Sequence, residues 1–484
     1  MSWDELVAGA LVGTARRPPV LPAADPGTAL GGALAAIDLG DPEGAVLRAG
    51  AVAGLYRLAG IRLPVDTRPL PPASPPEVRP HCSEAAAVRL DVMLAGRFRP
   101  VLEEWLGLVA AAGRLVPPDR LPGLLQVAST NPGLRPPAVE VIGERGRWLA
   151  GMNPPLAWAA GGTDLDDTGT WSTGTAAARR LLLGRLRATD AAGARALVAS
   201  TWATETPEDR AAFLAVLAIG LSMDDEPFLE VALDDRRKEV RQAAAGLLWR
   251  LPESRLAGRM AERARPLVRI SRRKVETILP DQVDDAMVRD GVVVRPPAGV
   301  GERAWWFHQL VAATPLMTWT ATPAPPVDRA DPLLRQAWAA AAARQHDEAW
   351  ALALLDAGGV DEPALLDAVP HQRAVEVATE RVTRVGLTPA VLDLLGHCPV
   401  PWGPELSGAV VGRVAEVVKR PRRPDSHTVV LRARLAELGV RLDPSVAHAA
   451  TGELADHAPW WSDVVGWFLD LLAFRAEMRE ELPS

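Results

Sequence analysis

The chain is 484 residues long, with a net charge of −7, 48% apolar and 23% charged residues; this fits about three domains or one continuous repeat array and excludes wholesale disorder. The acidic balance excludes a wholly basic nucleic-acid binder, two cysteines exclude a disulfide framework, and no apolar run reaches the ~18 residues that a membrane span needs. Met1-Ser2-Trp3-Asp4-Glu5-Leu6 lacks the positive start of a signal peptide, so the cytoplasm is the expected location. Basic charge is almost all arginine, with Lys238, Lys274 and Lys419 the only lysines. Alanine, leucine and arginine favour helix, while 44 prolines and 40 glycines interrupt it. Many short helices with frequent stops are expected.

Residues 1–62 read as N-terminal helices. Ser2 and Glu5 form a capping-box pair for the first, with Leu6, Val7, Ala10 and Leu11 on its apolar face. Thr14-Ala15-Arg16-Arg17-Pro18-Pro19 reads as a solvated exit turn rather than an anion-binding corner. Segments 32–39 and 44–59 give two more helices. Residues 63–82 are a proline-rich linker or surface strap, too rich in proline for regular structure. Residues 83–175 return to helix at 84–94, 101–112, 121–130 and 137–143. There, Trp148 and Trp158 flank the turn Asn153-Pro154-Pro155, where indoles staple a helix end more readily than they build a ligand pocket. Asp164, Asp166 and Asp167 lack the order and closing glutamate of an EF-hand.

Residues 176–281 are the most regular stretch. Segments 176–186, 193–201, 207–220, 226–233 and 238–251 alternate with polar turns, and Val240, Ala243, Ala244, Leu247, Leu248 and Leu251 fall on one helical face. Thr206-Pro207-Glu208-Asp209 carries a helix start: a cap hydroxyl, then proline, then acids. Residues 225–251 resemble one HEAT-type repeat, with Asp235, Val240, Arg241 and Ala244 at its turn acid, valine, arginine and small packing positions. Antiparallel helix pairs stacked into a solenoid follow from that resemblance. Arg255, Arg259 and Arg263 then recur every fourth residue, Arg265, Arg269, Arg272, Arg273 and Lys274 come behind them, and Glu253 and Glu262 offset little of the charge. Such a ridge either tracks phosphates or is a solvated face.

Residues 282–330 form a small irregular insertion. Val292-Val293-Val294, bracketed by Gly291 and Pro296-Pro297, is the short-strand candidate. Gly299-Val300-Gly301 has a phosphate-loop glycine spacing without the accompanying strand or Lys-Ser/Thr pair. Trp305 and Trp306 open the next helix as core or interface anchors. Residues 331–484 are helical again, at 333–343, 347–356, 362–369, 373–385, 389–395, 406–418 and 429–438. The exposed basic loop Lys419-Arg420-Pro421-Arg422-Arg423-Pro424, a spacer and a capping helix at 462–481 complete the chain.

No Gly-x-Ser-x-Gly elbow, Walker A lysine loop, His-Glu-x-x-His or Cys-x-x-Cys occurs. His81-Cys82 and His397-Cys398 together hold four zinc-ligand types, yet adjacent residues rarely converge on one ion. Asp224-Asp225, Asp234-Asp235 and Asp284-Asp285 lie at turns, where acids cap helices. No catalytic, cofactor-binding or metal-binding residue is expected.

Three segments carry a wider resemblance: Trp3-Asp4-Glu5-Leu6-Val7 with Gly13-Thr14-Ala15-Arg16-Arg17-Pro18; Gly146-Arg147-Trp148-Leu149-Ala150 with Asn153-Pro154; and Gly301-Glu302-Arg303-Ala304-Trp305-Trp306. In them the chain resembles an uncharacterised bacterial domain-of-unknown-function family. The resemblance implies helical-repeat proteins encoded near MoxR-type AAA+ ATPases, von Willebrand A-domain proteins and SWIM zinc-finger proteins. It carries no catalytic residues. The expectation is an all-α, HEAT-like helical-repeat solenoid with a small irregular insertion, acting as a non-enzymatic scaffold or adaptor. Trp148, Trp158, Trp305 and Trp306 are its candidate protein contacts, and an AAA+ ATPase or von Willebrand A-domain protein is the expected partner. The alternative is nucleic-acid binding, with Arg241, Arg255, Arg259, Arg263, Arg269 and Arg273 on phosphate.

Overall fold

Short polar side chains start many of the helices. Ser83, Thr175, Asp190, Thr206, Ser254, Asp331, Asp347 and Thr388 each accept a hydrogen bond from a first-turn amide, which satisfies a donor the helix itself cannot. The computed structural model describes residues 3–16, 18–21, 27–60, 71–160, 167–271, 274–319, 325–419 and 425–482. Ser2, Arg17, Asp164, Asp166, Arg272, Arg273 and the basic loop 420–424 lie outside the described residues. Contacts divide the chain into two units, Met1–Ala73 and Ser74–Ser484.

The first unit holds α1 (Trp3–Val12), α2 (Ala29–Ala35) and α3 (Pro42–Gly60). Its core is small, Leu6, Leu34 and Ala49, and α3 leaves Leu47, Leu55 and Leu58 exposed.

The second unit begins with α4 (Glu84–Leu94), α5 (Leu102–Ala111), α6 (Leu121–Thr130), α7 (Arg135–Val141) and α8 (Gly143–Gly151). They bury Leu90, Trp105, Leu106, Val109, Leu124 and Ile142 together. Residues 71–80 of the proline-rich stretch run without regular structure, and Glu77 caps α8 by accepting from the amides of Glu144 (3.0 Å) and Arg145 (2.8 Å). Gly143 has φ +64°, and a Cβ there would lie 2.5 Å from Glu77 Oε2, so this corner needs glycine.

A second core joins α9 (Asp167–Thr173), α10 (Ala176–Thr189), α11 (Ala191–Thr201), α12 (Pro207–Val216), α13 (Glu226–Ala232), α14 (Lys238–Leu248), α15 (Arg255–Ala264), α16 (Asp285–Arg289), α17 (Glu302–Ala312), α18 (Pro332–Gln345) and α19 (Glu348–Ala357). A third is built by α20 (His371–Val385), α21 (Pro389–His397), α22 (Pro404–Val418), α23 (Ser426–Arg441), α24 (Ala447–Glu453) and α25 (Ser462–Glu481). Alternate helices stack: α10 on α12, α12 on α14, α15 on α17, α20 on α22, α21 on α23, α22 on α24 and α23 on α25. Among the described residues the fold is all-α apart from one antiparallel hairpin, β1 (Val268–Ile270) with β2 (Val275–Thr277), in the register Val268↔Thr277.

That hairpin corrects the strand expectation, because Val292-Val293-Val294 has no regular secondary structure and joins no sheet. Val292 N donates to Met287 O (3.0 Å), and side chains of α17 take up the backbone of the other two residues. Gln309 Oε1 accepts from Val293 N (2.8 Å), Trp305 Nε1 donates to Val293 O (2.9 Å) and Trp306 Nε1 donates to Val294 O (2.8 Å). With these groups satisfied, the segment has no need of a strand partner. On its other side Gly291, at φ +96°, passes so close to α14 that a Cβ would meet Ala245 Cβ at 2.5 Å.

α25 does more than cap the chain. Val465, Phe468 and Leu472 belong to the third core, while Leu471, Phe474, Met478 and Leu482 belong to the first. Buried Arg475 donates to Glu104 Oε2 (2.6 Å), Gly439 O (2.8 Å) and Leu442 O (2.6 Å), and Arg479 donates to Glu104 Oε1 (2.8 Å). Arg89 reaches Glu481 (2.6 Å) and Glu477 (2.8 Å). Glu104→Ala leaves buried Arg475 without its anion and is expected to cost about 3 kcal/mol. Urea unfolding measures that loss, and hydrogen exchange should quicken first along 462–482; unchanged stability would refute the closure.

Candidate functional site

The arginine ridge is built by two neighbouring elements. α13 sets Glu226 and Glu230 one turn apart, α15 sets out Arg255, Arg259 and Arg263 at the same pitch, and Asp290 follows α16. Arg255 Nε lies 2.7 Å from Glu226 Oε1, Arg259 Nη2 3.0 Å from Glu230 Oε1 and 2.8 Å from Asp290 Oδ1, and Arg263 Nη1 2.7 Å from Asp290 Oδ2. Arg289 adds a bridge to Asp234 at 2.6 Å. Burial alone would raise the Asp290 carboxyl, but hydrogen bonds from Arg259 and Arg263 outweigh it and hold the group below the usual range. The bonds from Arg255 do the same for Glu226. Three of the six expected phosphate contacts are therefore engaged by carboxylates. Of the others, Arg241 Nη1 donates to Asp235 O (2.9 Å) and Arg236 O (3.1 Å), Arg269 is exposed on β1 opposite Glu276, and Arg273 lies outside the described residues. The counter-charges were visible as Glu226 and Glu230, both 29 residues before their arginines, a helix away rather than beside them.

The four expected tryptophan contacts are dispersed. Trp148 is half-buried on α8. Trp158 is half-buried, donates to Ser129 Oγ (3.1 Å) and carries the Arg135 guanidinium over its ring. Trp305 and buried Trp306 face inward and clamp the segment 292–294.

Three concave surfaces lie among the C-terminal helices, the third also touching Pro100, Glu103 and Glu104. One hollow of about 340 Å³ has Leu387, Val417, Leu431 and Trp461 among its lining residues, together with Arg384, Arg413, His427 and Trp460. Trp461 is buried and Trp460 is 37% exposed, their rings meeting edge to face at 4.8 Å. Arg432 packs over Trp460 and bridges to Asp463 at 2.6 Å, which fixes the ring. Asp425, at the same rim, caps α23, and the amide of Thr428 (2.8 Å) holds its carboxyl below the usual range. A second hollow, about 720 Å³, follows one face of α20 through His371, Val375, Thr379 and Thr383 and adjoins the first at Arg384. A third, about 440 Å³, meets the second at Pro401 and reaches Glu104, Asp443, Arg475 and Arg479. Trp460 and Trp461 fell in a stretch the sequence marked only as a spacer. Their adjacency was a signal, but only packing separates a floor indole from a rim indole.

The two His-Cys pairs lie in different parts of the fold, Cys82 in the first core and Cys398 in the third. Burial pushes the Cys398 thiol up to about 11, and His397 Nδ1 is 2.8 Å from Asp367. Among the described residues no group of three or more His, Cys, Asp or Glu side chains is placed to hold a metal.

A protein-family model matches residues 5–482. The chain belongs to DUF5691, a family of unknown function. No curated protein and no solved structure matches it. The DUF5691 match spans the arginine ridge, the tryptophan clamp and all three hollows.

The ridge carries a pH signature. Because Asp290 is held below the ordinary aspartate value of about 3.9 in the folded state, its contribution is present above that value and lost as pH falls through the lower, folded one. Asp290→Asn should cost about 2 kcal/mol near neutrality, less than a fully buried pair because Arg259 and Arg263 reach partly into solvent. Its stability should also fall less steeply than wild type below about pH 4. Chemical unfolding across pH reads both, and parallel acid slopes would refute the assignment.

Proposed function

We propose that this protein is a non-enzymatic helical-repeat scaffold or adaptor, its stacked helices a HEAT-like solenoid, which receives a segment of a protein partner along the C-terminal hollows. The observation that carries the reading is the run of hollows adjoining at Arg384 and Pro401, with an apolar floor and exposed Trp460 at its rim. A desolvated aromatic anchor ringed by polar groups is how protein interfaces concentrate affinity. No described helix is long and apolar enough to cross a membrane, in keeping with a cytoplasmic, bacterial adaptor. The family resemblance adds the expectation that the partner is a MoxR-type AAA+ ATPase or a von Willebrand A-domain protein.

Affinity capture with quantitative mass spectrometry tests this. The wild-type chain should recover one partner reproducibly, and Trp460→Ala should reduce recovery about tenfold or more, the loss typical of an aromatic anchor. Repeated capture of no specific protein, or equal capture by the variant, would overturn the reading. The nucleic-acid alternative loses weight because Arg255, Arg259 and Arg263 are already paired. Gel-shift titration across salt separates the two: no retardation at low salt, or affinity indifferent to salt, ends the alternative.

A further inference from the structure

Between α14 and the clamped segment 292–294 lies a hollow of about 280 Å³. Lys238, Arg241, Gln242 and Arg295 are its polar side chains, and no carboxylate lines it. This departs from the rest of the region, where arginine meets acid from the neighbouring helix. Lys238 and Arg295 are exposed, and neither has an ion-pair partner among the described residues. Arg241 is held by two backbone carbonyls, Asp235 O and Arg236 O, which fix its guanidinium without neutralising it. The opposite wall is equally fixed, since Trp305, Trp306 and Gln309 bind the backbone of Val293 and Val294.

Three like charges around one concavity repel each other, and an anion entering it relieves that repulsion. The available groups are all donors suited to oxyanions: a guanidinium fork, an ammonium, a second guanidinium and the Gln242 amide. We propose that this hollow binds a phosphate group, as inorganic phosphate or a small phosphate monoester. Its volume lies at the small end of ligand sites, which suits one phosphate with a modest organic substituent. A duplex needs a row of free cations along its backbone, and the adjacent row on α15 is already paired. This proposal is independent of the partner-docking reading, because none of its residues lines the C-terminal hollows.

Isothermal titration of the full chain with inorganic phosphate and with adenosine monophosphate, at constant ionic strength in chloride, tests it. Both should bind saturably at millimolar concentration or below and compete with each other. The double substitution Lys238→Gln with Arg295→Gln should weaken both about tenfold or more, and Arg295→Glu should abolish binding. The substituted side chains are exposed, so thermal melting should stay at the wild-type value. Absence of saturable binding by either phosphate overturns the proposal, as does unchanged affinity in the well-folded double variant. Retardation of a short DNA duplex that is lost in the double variant, with no binding of the monophosphate, also overturns it, by assigning these cations to nucleic acid.

Discussion

One helix with two buried faces joins the first and third cores of the unit Ser74–Ser484. α25 gives Val465, Phe468 and Leu472 to one core and Leu471, Phe474, Met478 and Leu482 to another, burial on the order of 10 kcal/mol before the compactness of the unfolded chain is allowed for. The polar part of the junction rests on Arg475. A guanidinium presents its donors in a planar fork, so one buried side chain reaches Glu104 and two backbone carbonyls at once; an ammonium has no such spread. Phe98 shows how strongly the contact is determined. It is held at φ +56°, a conformation costly for a side chain of that size, while its ring packs 4.9 Å from Phe474 and 5.8 Å from Trp467.

The same geometric property explains why nearly all the basic residues are arginine. Glu226 and Arg255 are 29 residues apart, as are Glu230 and Arg259; Arg259 and Asp290 are 31 apart, as are Arg432 and Asp463. An interval of about thirty residues carries the chain from one helix to another within arginine's reach, and in the last case, Arg432 on α23 and Asp463 on α25, to the helix stacked on it. Arginine therefore pins the sliding of each helix over its neighbour, which apolar contact alone defines loosely. Arg187 is the extreme case: fully buried, it donates to Asp225 at 2.8 Å and to the carbonyls of Leu217, Ile219 and Gly220, while Arg195 reaches Asp225 from the other side. Buried charge of this kind is tolerable only because every donor and acceptor is met.

Local signals made the helices legible. The Val240 to Leu251 stripe lies on α14 and the turn after it, Asp331 and Asp347 cap α18 and α19, and the last helix falls at Ser462–Glu481. What stayed hidden was always a matter of neighbours in space. Residues 292–294 looked like a strand because three β-branched residues between turn signals are strand-like, and nothing local reveals that indole and amide side chains of α17 would take up the backbone groups. The arginine ridge looked free because charge was weighed along one helix, while its acids come from α13 and from beyond α16. The last helix is expected only as a cap, and Val465, Phe468 and Leu472 bear that out on one side alone. Leu471 and Phe474 fill the other, and they have somewhere to pack only once α4 and α5 are in place.

Pairing also decides where a ligand can act. For Arg259 to meet an incoming phosphate it must leave Glu230 and Asp290, and Asp290, almost wholly buried, would then keep its charge with less compensation. The incoming contact has to exceed that desolvation penalty before it contributes any affinity. Among the described residues Lys238 and Arg295 have no such bond to break, so the full attraction of an anion is available there. The same reasoning favours the C-terminal hollows for a protein partner, since Trp460 is already oriented by Arg432 and offers its exposed face without losing a hydrogen bond. In a chain this thoroughly cross-linked, binding is cheapest where the internal pairing stops, and the arginine-rich sequence points first to the places where it does not.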